Sequence, residues 1–210
     1  MTAKTNPQYP ETSNISNEHL KNYIEAVKNG DDSLIEGASE QLKNHLLEKV
    51  DDAIKEFYRS DIDLLKMGMN EMTVSGRLAF YLQKLFEDFV GYFVDVEYYR
   101  LKVEKGKVRD KRKDRIRCDI LLHARGKHNA RVDNLLAIEV KLEKSDDDGN
   151  SDLYRLAEFV IPDGPGTPEG AVHSTLVGLF LRFGERGYGK VVISSAKYTD
   201  MTQPDTTQTI

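Results

Sequence analysis

Arg117-Cys118-Asp119-Ile120-Leu121-Leu122 and, one loop later, Leu135-Leu136-Ala137-Ile138-Glu139-Val140-Lys141 are the stretches whose reading decides the fold. Both are short apolar runs of strand-forming residues, each interrupted by charge. Side chains alternate faces along a strand, so Glu139 and Lys141 share one face and Val140 takes the other. An antiparallel hairpin turning near Asn129 sets Asp119 directly across from Glu139, because both lie equally far from that turn. Facing cross-strand residues stand about 4.5–5.5 Å apart, and like charges so placed repel. A cation between the two carboxylates removes the repulsion, which points to metal-assisted chemistry. The plain alternative is a turn-side aspartate and an exposed Glu139–Lys141 ion pair worth under about 1 kcal/mol. The run Leu135 to Val140 argues against it, being apolar enough for a buried central strand.

The elements on either side build a mixed α/β pattern, a central sheet flanked by helices. Upstream, Glu71 to Phe89 reads as an amphipathic helix: Ser75, Leu78, Leu82, Leu85 and Phe89 follow Glu71 at steps of four and three. Glu71 heads that apolar face, where a carboxylate is costly to desolvate unless it has a role, although water and the helix dipole would also accommodate it there. Tyr92 to Val103 reads as a strand. Downstream, Lys144 to Asn150 is an acidic turn, and Ser151 is placed to cap a helix running to about Val160. The prolines and glycines from Pro162 to Gly170 make a loop, and Thr175–Phe183 and Lys190–Ser195 read as strands. In the N-terminal part, residues 1–16 read as a flexible leader and 17–59 as two or three helices. Asn17 caps the first, Gly30 closes it, and Ser33 is placed to cap the second. Asp61 to Met69 reads as a short helical or irregular piece. This gives a helical region over 17–70 packed on a core over 71–198, with a disordered tail over 199–210.

Composition narrows the class. The chain has 210 residues, enough for one domain with a sizeable core. It contains no apolar run of membrane-spanning length, and its first residues lack the apolar centre of a secretory signal. Cys118 is the single cysteine, so neither an intrachain disulfide nor a thiolate zinc cluster can form. A cytoplasmic address is the simplest reading. Net charge is −5, yet Arg100 to Arg117 carries ten Lys or Arg against three carboxylates, a local +7. Such a segment suits a phosphate backbone, or else a solvated hairpin tip.

Asp119, followed by Glu139-Val140-Lys141 on the next strand and preceded by a helix led by Glu71, resembles the PD-(D/E)XK nuclease superfamily, the restriction-endonuclease-like fold. The resemblance covers roughly Glu71 to Ser195, and that superfamily's αβββαβ core has the element order read above. Cys118 stands where the motif's proline would be, a position that carries no chemistry. The resemblance implies that Asp119, Glu139 and the Val140 carbonyl hold Mg²⁺ or Mn²⁺, with Glu71 adding a further carboxylate. It implies that Lys141 orients or deprotonates the attacking water and steadies charge on the phosphate. The implied activity is phosphodiester hydrolysis, most readily in DNA, and cutting both strands would favour a homodimer. The competing expectation is a catalytically silent member of the fold that binds nucleic acid or protein.

Other signals are weaker. Gly184 to Lys190 has phosphate-loop spacing, but Val191 replaces the required Ser or Thr and a strand follows, so it reads as a glycine-rich hairpin turn. The five histidines show no ligand spacing; His123 shares the face of Asp119 and reads as structural. Tyr98 and Arg100 share a strand face, Asp152 and Arg155 stand near the cleft edge, and Arg77 lies off the apolar stripe, exposed.

Overall fold

The computed structural model describes residues 9–101, 115–125, 130–145, 149–160, 175–194 and 208–209. After a 3₁₀ turn at Thr12–Asn14 come α1 (Glu18–Asn29), α2 (Asp32–Lys66) and α3 (Glu71–Leu85). Then follow β1 (Phe93–Leu101), β2 (Arg115–His123), the short α4 (Ala130–Asp133), β3 (Asn134–Leu142), α5 (Asn150–Val160), β4 (Thr175–Gly184), β5 (Gly187–Ile193) and β6 (Gln208–Thr209). The strands lie in sequence order in one mixed sheet. β3 and β4 are parallel, joined by the crossover through α5, and every other pair is antiparallel.

The helix starts follow local hydrogen-bonding chemistry. Asn17 Oδ1 accepts from Leu20 N at 3.0 Å, and Gly30 closes α1 in the left-handed conformation, as the sequence predicts. The cap of α2 is Asp31 rather than Ser33: its Oδ1 accepts from Ser33 N and Leu34 N. A carboxylate two residues earlier leaves Ser33 inside the first turn. As expected, α1 and most of α2 account for residues 17–59, and α2 breaks at Asp61 (φ −134°), where the short further piece begins. Arg77, expected to be merely exposed, bonds Asp61 at 2.5 Å and holds that break against α3 together with Tyr81. α3 stops at Leu85, short of Phe89, although Phe86 and Phe89 stay buried.

Helices α1–α3 cover one face of the sheet and form a single core with it. Ile24, Leu46, Ile54, Phe57, Leu78 and Leu82 pack with Ile120, Leu136, Ile138, Leu179 and Phe183. The N-terminal helices therefore extend the core. On the other face α5 packs Leu156, Ala157 and Val160 onto Cys118, Leu121, Ala137 and Phe180. Of the expected leader, Pro10 and Ile15 are buried, and of the expected tail, Gln208–Thr209 pair with β5. Residues 102–114, which hold most of the basic segment, lie outside the described residues, as does the loop at Pro162–Gly170. No helix among the described residues is long and apolar enough to cross a membrane.

Candidate active site

The β2–β3 register is the one the sequence predicts. Ile120 pairs with Ile138 and Leu121 with Ala137, so one further step brings Asp119 abreast of Glu139. The ladder ends at Ile120–Ile138, and beyond it the Asp119 side chain replaces the backbone: its Oδ2 accepts from Val140 N at 2.8 Å. On the other flank the β1–β2 ladder passes from Val96–Ile120 to Tyr98–Cys118 without pairing Glu97 with Asp119. Glu97 has φ +49°, a left-handed conformation uncommon for a residue with a side chain. Cys118 and Leu121 both pack beneath α5, so the alternation of faces slips between them, at Asp119.

Glu71 arrives from the first turn of α3, whose start is fixed by Asn70 Oδ1 accepting from Thr73 N at 2.9 Å. Its Oε1 accepts a 3.4 Å hydrogen bond from Leu142 N, at the end of β3. Lys141 Nζ lies 3.6 Å from that same Oε1 and 3.4 Å from Asp152 Oδ2, on α5. Glu139, Lys141 and Asp152 are buried, exposed by 4%, 7% and 7%, while Glu71 is partly open. Taking charges out of water is costly unless they are paired, so the ammonium between two carboxylates is a structural requirement as well as a chemical resource.

A cleft of about 940 Å³ opens at this end of the sheet. Glu71, Glu97, Asp119 and Glu143 supply carboxylates to its wall, and Lys144 and Arg186 supply cations. Glu139 and Lys141 are not among its lining residues; they lie on the strand face that α5 covers. The opposite wall is the β4–β5 hairpin, the glycine-rich turn predicted from sequence. It is latched to α2 by the Tyr58 hydroxyl, whose single proton is shared between Gly184 O (2.8 Å) and Gly187 O (2.5 Å). Burial raises the Tyr58 hydroxyl to about 12, so it stays protonated and the latch holds across neutral pH. At the rim Lys144 bonds Glu185 at 2.5 Å, and that hydrogen bond holds the Glu185 carboxyl below its usual range.

The structure thus brings Asp119, Glu139, Lys141 and Glu71 to one end of the sheet, with Lys141 in contact with Glu71. It does not gather them into a ligand shell: among the described residues no three of His, Cys, Asp or Glu stand close enough together to hold a metal ion. His123 is buried and its Nε2 lies 2.9 Å from Asp95 Oδ2. The Arg125 hydrogen bonds hold the Asp95 carboxyl below its usual range, helped by His123. His123 is therefore a structural partner, as expected. The side chains of Tyr98, Arg100 and Arg155 lie outside the described residues. Asp152 is the group that motif reading undervalued, since its signal was no more than an acid in the first turn of the following helix. Glu97 carried no signal at all, because nothing in a run of β-formers marks a residue for φ above zero.

Fold and site together define a mixed α/β protein with an acid-walled cleft at one end of its sheet. No protein-family model matches the chain, and no curated protein or solved structure is significantly similar to it.

Proposed function

We propose that the chain is a metal-dependent nuclease of the PD-(D/E)XK type, hydrolysing phosphodiester bonds in nucleic acid, most readily DNA. The observation that carries this reading is the Asp119–Val140 hydrogen bond at the point where β2 and β3 part. It sets the aspartate beside the Glu139-Val140-Lys141 run at the mouth of a cleft. The helix–three strands–helix–strand order and the parallel β3–β4 pair across α5 support the same reading.

The donor chemistry suits a hard cation. Mg²⁺ binds through one or two carboxylates and keeps several waters, so it does not need three protein ligands in one cluster. Asp119 and Glu71 on the cleft wall, with Glu139 and the Val140 carbonyl beside them, would hold Mg²⁺ or Mn²⁺. When bound, the ion would lower the pKa of a coordinated water and polarise the phosphoryl oxygen. Lys141 would orient that water and donate to the phosphate oxygen on which charge develops. Lys144 and Arg186 on the rim would take flanking phosphates. Cutting both strands of a duplex would call for two copies of the chain.

The test is cleavage of linear, circular and single-stranded DNA, and of RNA, with Mg²⁺ or Mn²⁺, comparing the natural chain with Lys141→Ala. Metal-dependent cleavage that falls by about 100-fold or more in the variant, with its fold intact, supports the proposal. Equal activity in both chains removes it. One observation favours the second reading, a binding module without hydrolysis: Glu139 and Lys141 are buried away from the cleft lining. That reading requires no Mn²⁺-dependent rise in melting temperature and no effect of Glu139→Ala on nucleic-acid binding.

A further inference from the structure

Among the described residues, Lys141 meets carboxylates of different character on α3 and α5. Glu71 comes from α3, lines the cleft, and has a side chain 37% exposed. Asp152 comes from α5, across the sheet, and its side chain is 9% exposed, the same as that of Lys141. Asp152 is also the more firmly seated of the two. It stands in the first turn of α5, where the helix dipole favours a carboxylate, and its backbone N–H donates to Gly149 O at 3.1 Å. Gly149 has φ +79°, and a Cβ there would meet the Phe180 ring at 2.5 Å, so this end of α5 is pressed against β4. Substrate entering the cleft would meet Glu71 first, and Asp152 would stay where it is.

We propose that Asp152 is the positioning residue for Lys141: its buried carboxylate holds the ammonium at the end of β3, and Glu71 is the partner that exchanges for an incoming phosphate oxygen. This assignment rests on the nuclease reading for its catalytic consequence, although the contact itself does not. Without Asp152 the ammonium keeps its site on the strand but loses its orientation. A displacement of about 1 Å at a reacting group costs on the order of 100-fold in rate. The loss should fall on the chemical step and spare substrate binding, which the cleft rim supplies.

The experiment compares Asp152→Asn, Asp152→Glu, Glu71→Gln and Lys141→Ala by steady-state cleavage and by ¹H–¹⁵N spectra of the lysine ammonium groups. Asp152→Asn should lower kcat about 100-fold while KM changes by less than about twofold, and Asp152→Glu should restore much of the rate. The Lys141 ammonium resonance, identified by its absence in Lys141→Ala, should be protected from exchange in the natural chain. It should vanish in Asp152→Asn and persist in Glu71→Gln. An Asp152→Asn protein with natural kcat and a persistent resonance overturns the assignment. So do Asp152→Asn and Asp152→Glu proteins that are equally inactive and equally destabilised, since that marks a folding role. If Lys141→Ala cleaves as well as the natural chain, or the natural chain cleaves nothing, the nuclease reading falls. The resonance then decides alone whether Asp152 positions Lys141.

Discussion

Asp119 has a structural task and, in the proposed nuclease, a chemical one, and substitution separates them. Its Oδ2 accepts from Val140 N where the β2–β3 ladder has ended, standing in for a missing backbone carbonyl. Asp119→Ala leaves that N–H without this acceptor, at a cost of about 1–3 kcal/mol. Asp119→Asn presents an amide oxygen at the same place and should lose under about 1 kcal/mol, while losing the charge a cation requires. Urea unfolding and a Mn²⁺ thermal-shift series measured on both variants check this. If Asp119→Asn is as unstable as Asp119→Ala, the hydrogen bond is not what the carboxylate contributes. If Asp119→Asn keeps a Mn²⁺ shift, Asp119 is not a ligand. The register of this residue was legible in the sequence because Asp119 and Glu139 are equidistant from Asn129; that turn lies outside the described residues, and the pairing keeps the expected register past α4 and the shift between Leu122 and His123. Asp152 was not legible in the same way. Its approach to Lys141 depends on how closely a crossover helix seats on the sheet, which no local spacing encodes.

Helix α1 is tied to α2 by a junction whose hydrogen-bond polarity allows one protonation state. Asn17 Oδ1 is committed to the cap on Leu20 N, so its Nδ2 must face His45 Nε2 (3.0 Å) and Asp88 Oδ2 (2.7 Å). His45 must then accept through Nε2, which it does only when neutral. Burial is the main cause holding the His45 pKa below its usual value; Lys49 and His19 add to it, and Asp88 and Glu48 oppose. The folded pKa is thus below the unfolded one, and the unfolded chain takes up the proton first as pH falls. The junction contributes in full above about pH 6.5, and its contribution is lost as pH falls through the folded pKa. Unfolding midpoints measured from pH 7.5 down to about 5 should therefore decline, and His45→Gln should flatten that part of the profile. Glutamine can still accept from Asn17 but does not titrate in this range. An unchanged slope in His45→Gln places the acid sensitivity elsewhere. The caps Asn17 and Gly30 were readable because capping is local chemistry. The end of α3 was not, because Phe86 and Phe89 keep the helical apolar spacing after the backbone has left the helix.

At the scale of the whole molecule, two helical layers grip one sheet at different places. The α1–α3 layer is pinned to β4 and β5 at its far end: Phe57 meets Phe183 edge-on at 5.3 Å, and Lys190 pairs with Asp51 at 2.8 Å. The α5 layer is pinned by absence of bulk. A Cβ on Gly178 of β4 would lie 2.8 Å from Val160 Cγ2 and 2.9 Å from Leu156 Cγ, both on α5. Leu156 is fully buried, so it has little room to give way. Gly178→Ala should then lift α5 from the sheet and destabilise the fold by about 1–3 kcal/mol, the usual cost of overpacking a dense interior. The same lift carries Asp152 away from Lys141 some way along the helix, so one methyl group far from the cleft should also weaken the protection of the Lys141 ammonium. Gly189 on β5 is the control, since a Cβ there meets only Arg182 Cβ at 3.9 Å, an ordinary contact. Urea unfolding of Gly178→Ala and Gly189→Ala, read beside the ammonium spectrum, decides the matter. Equal midpoints for the two variants would mean that α5 is not held by close approach at Gly178.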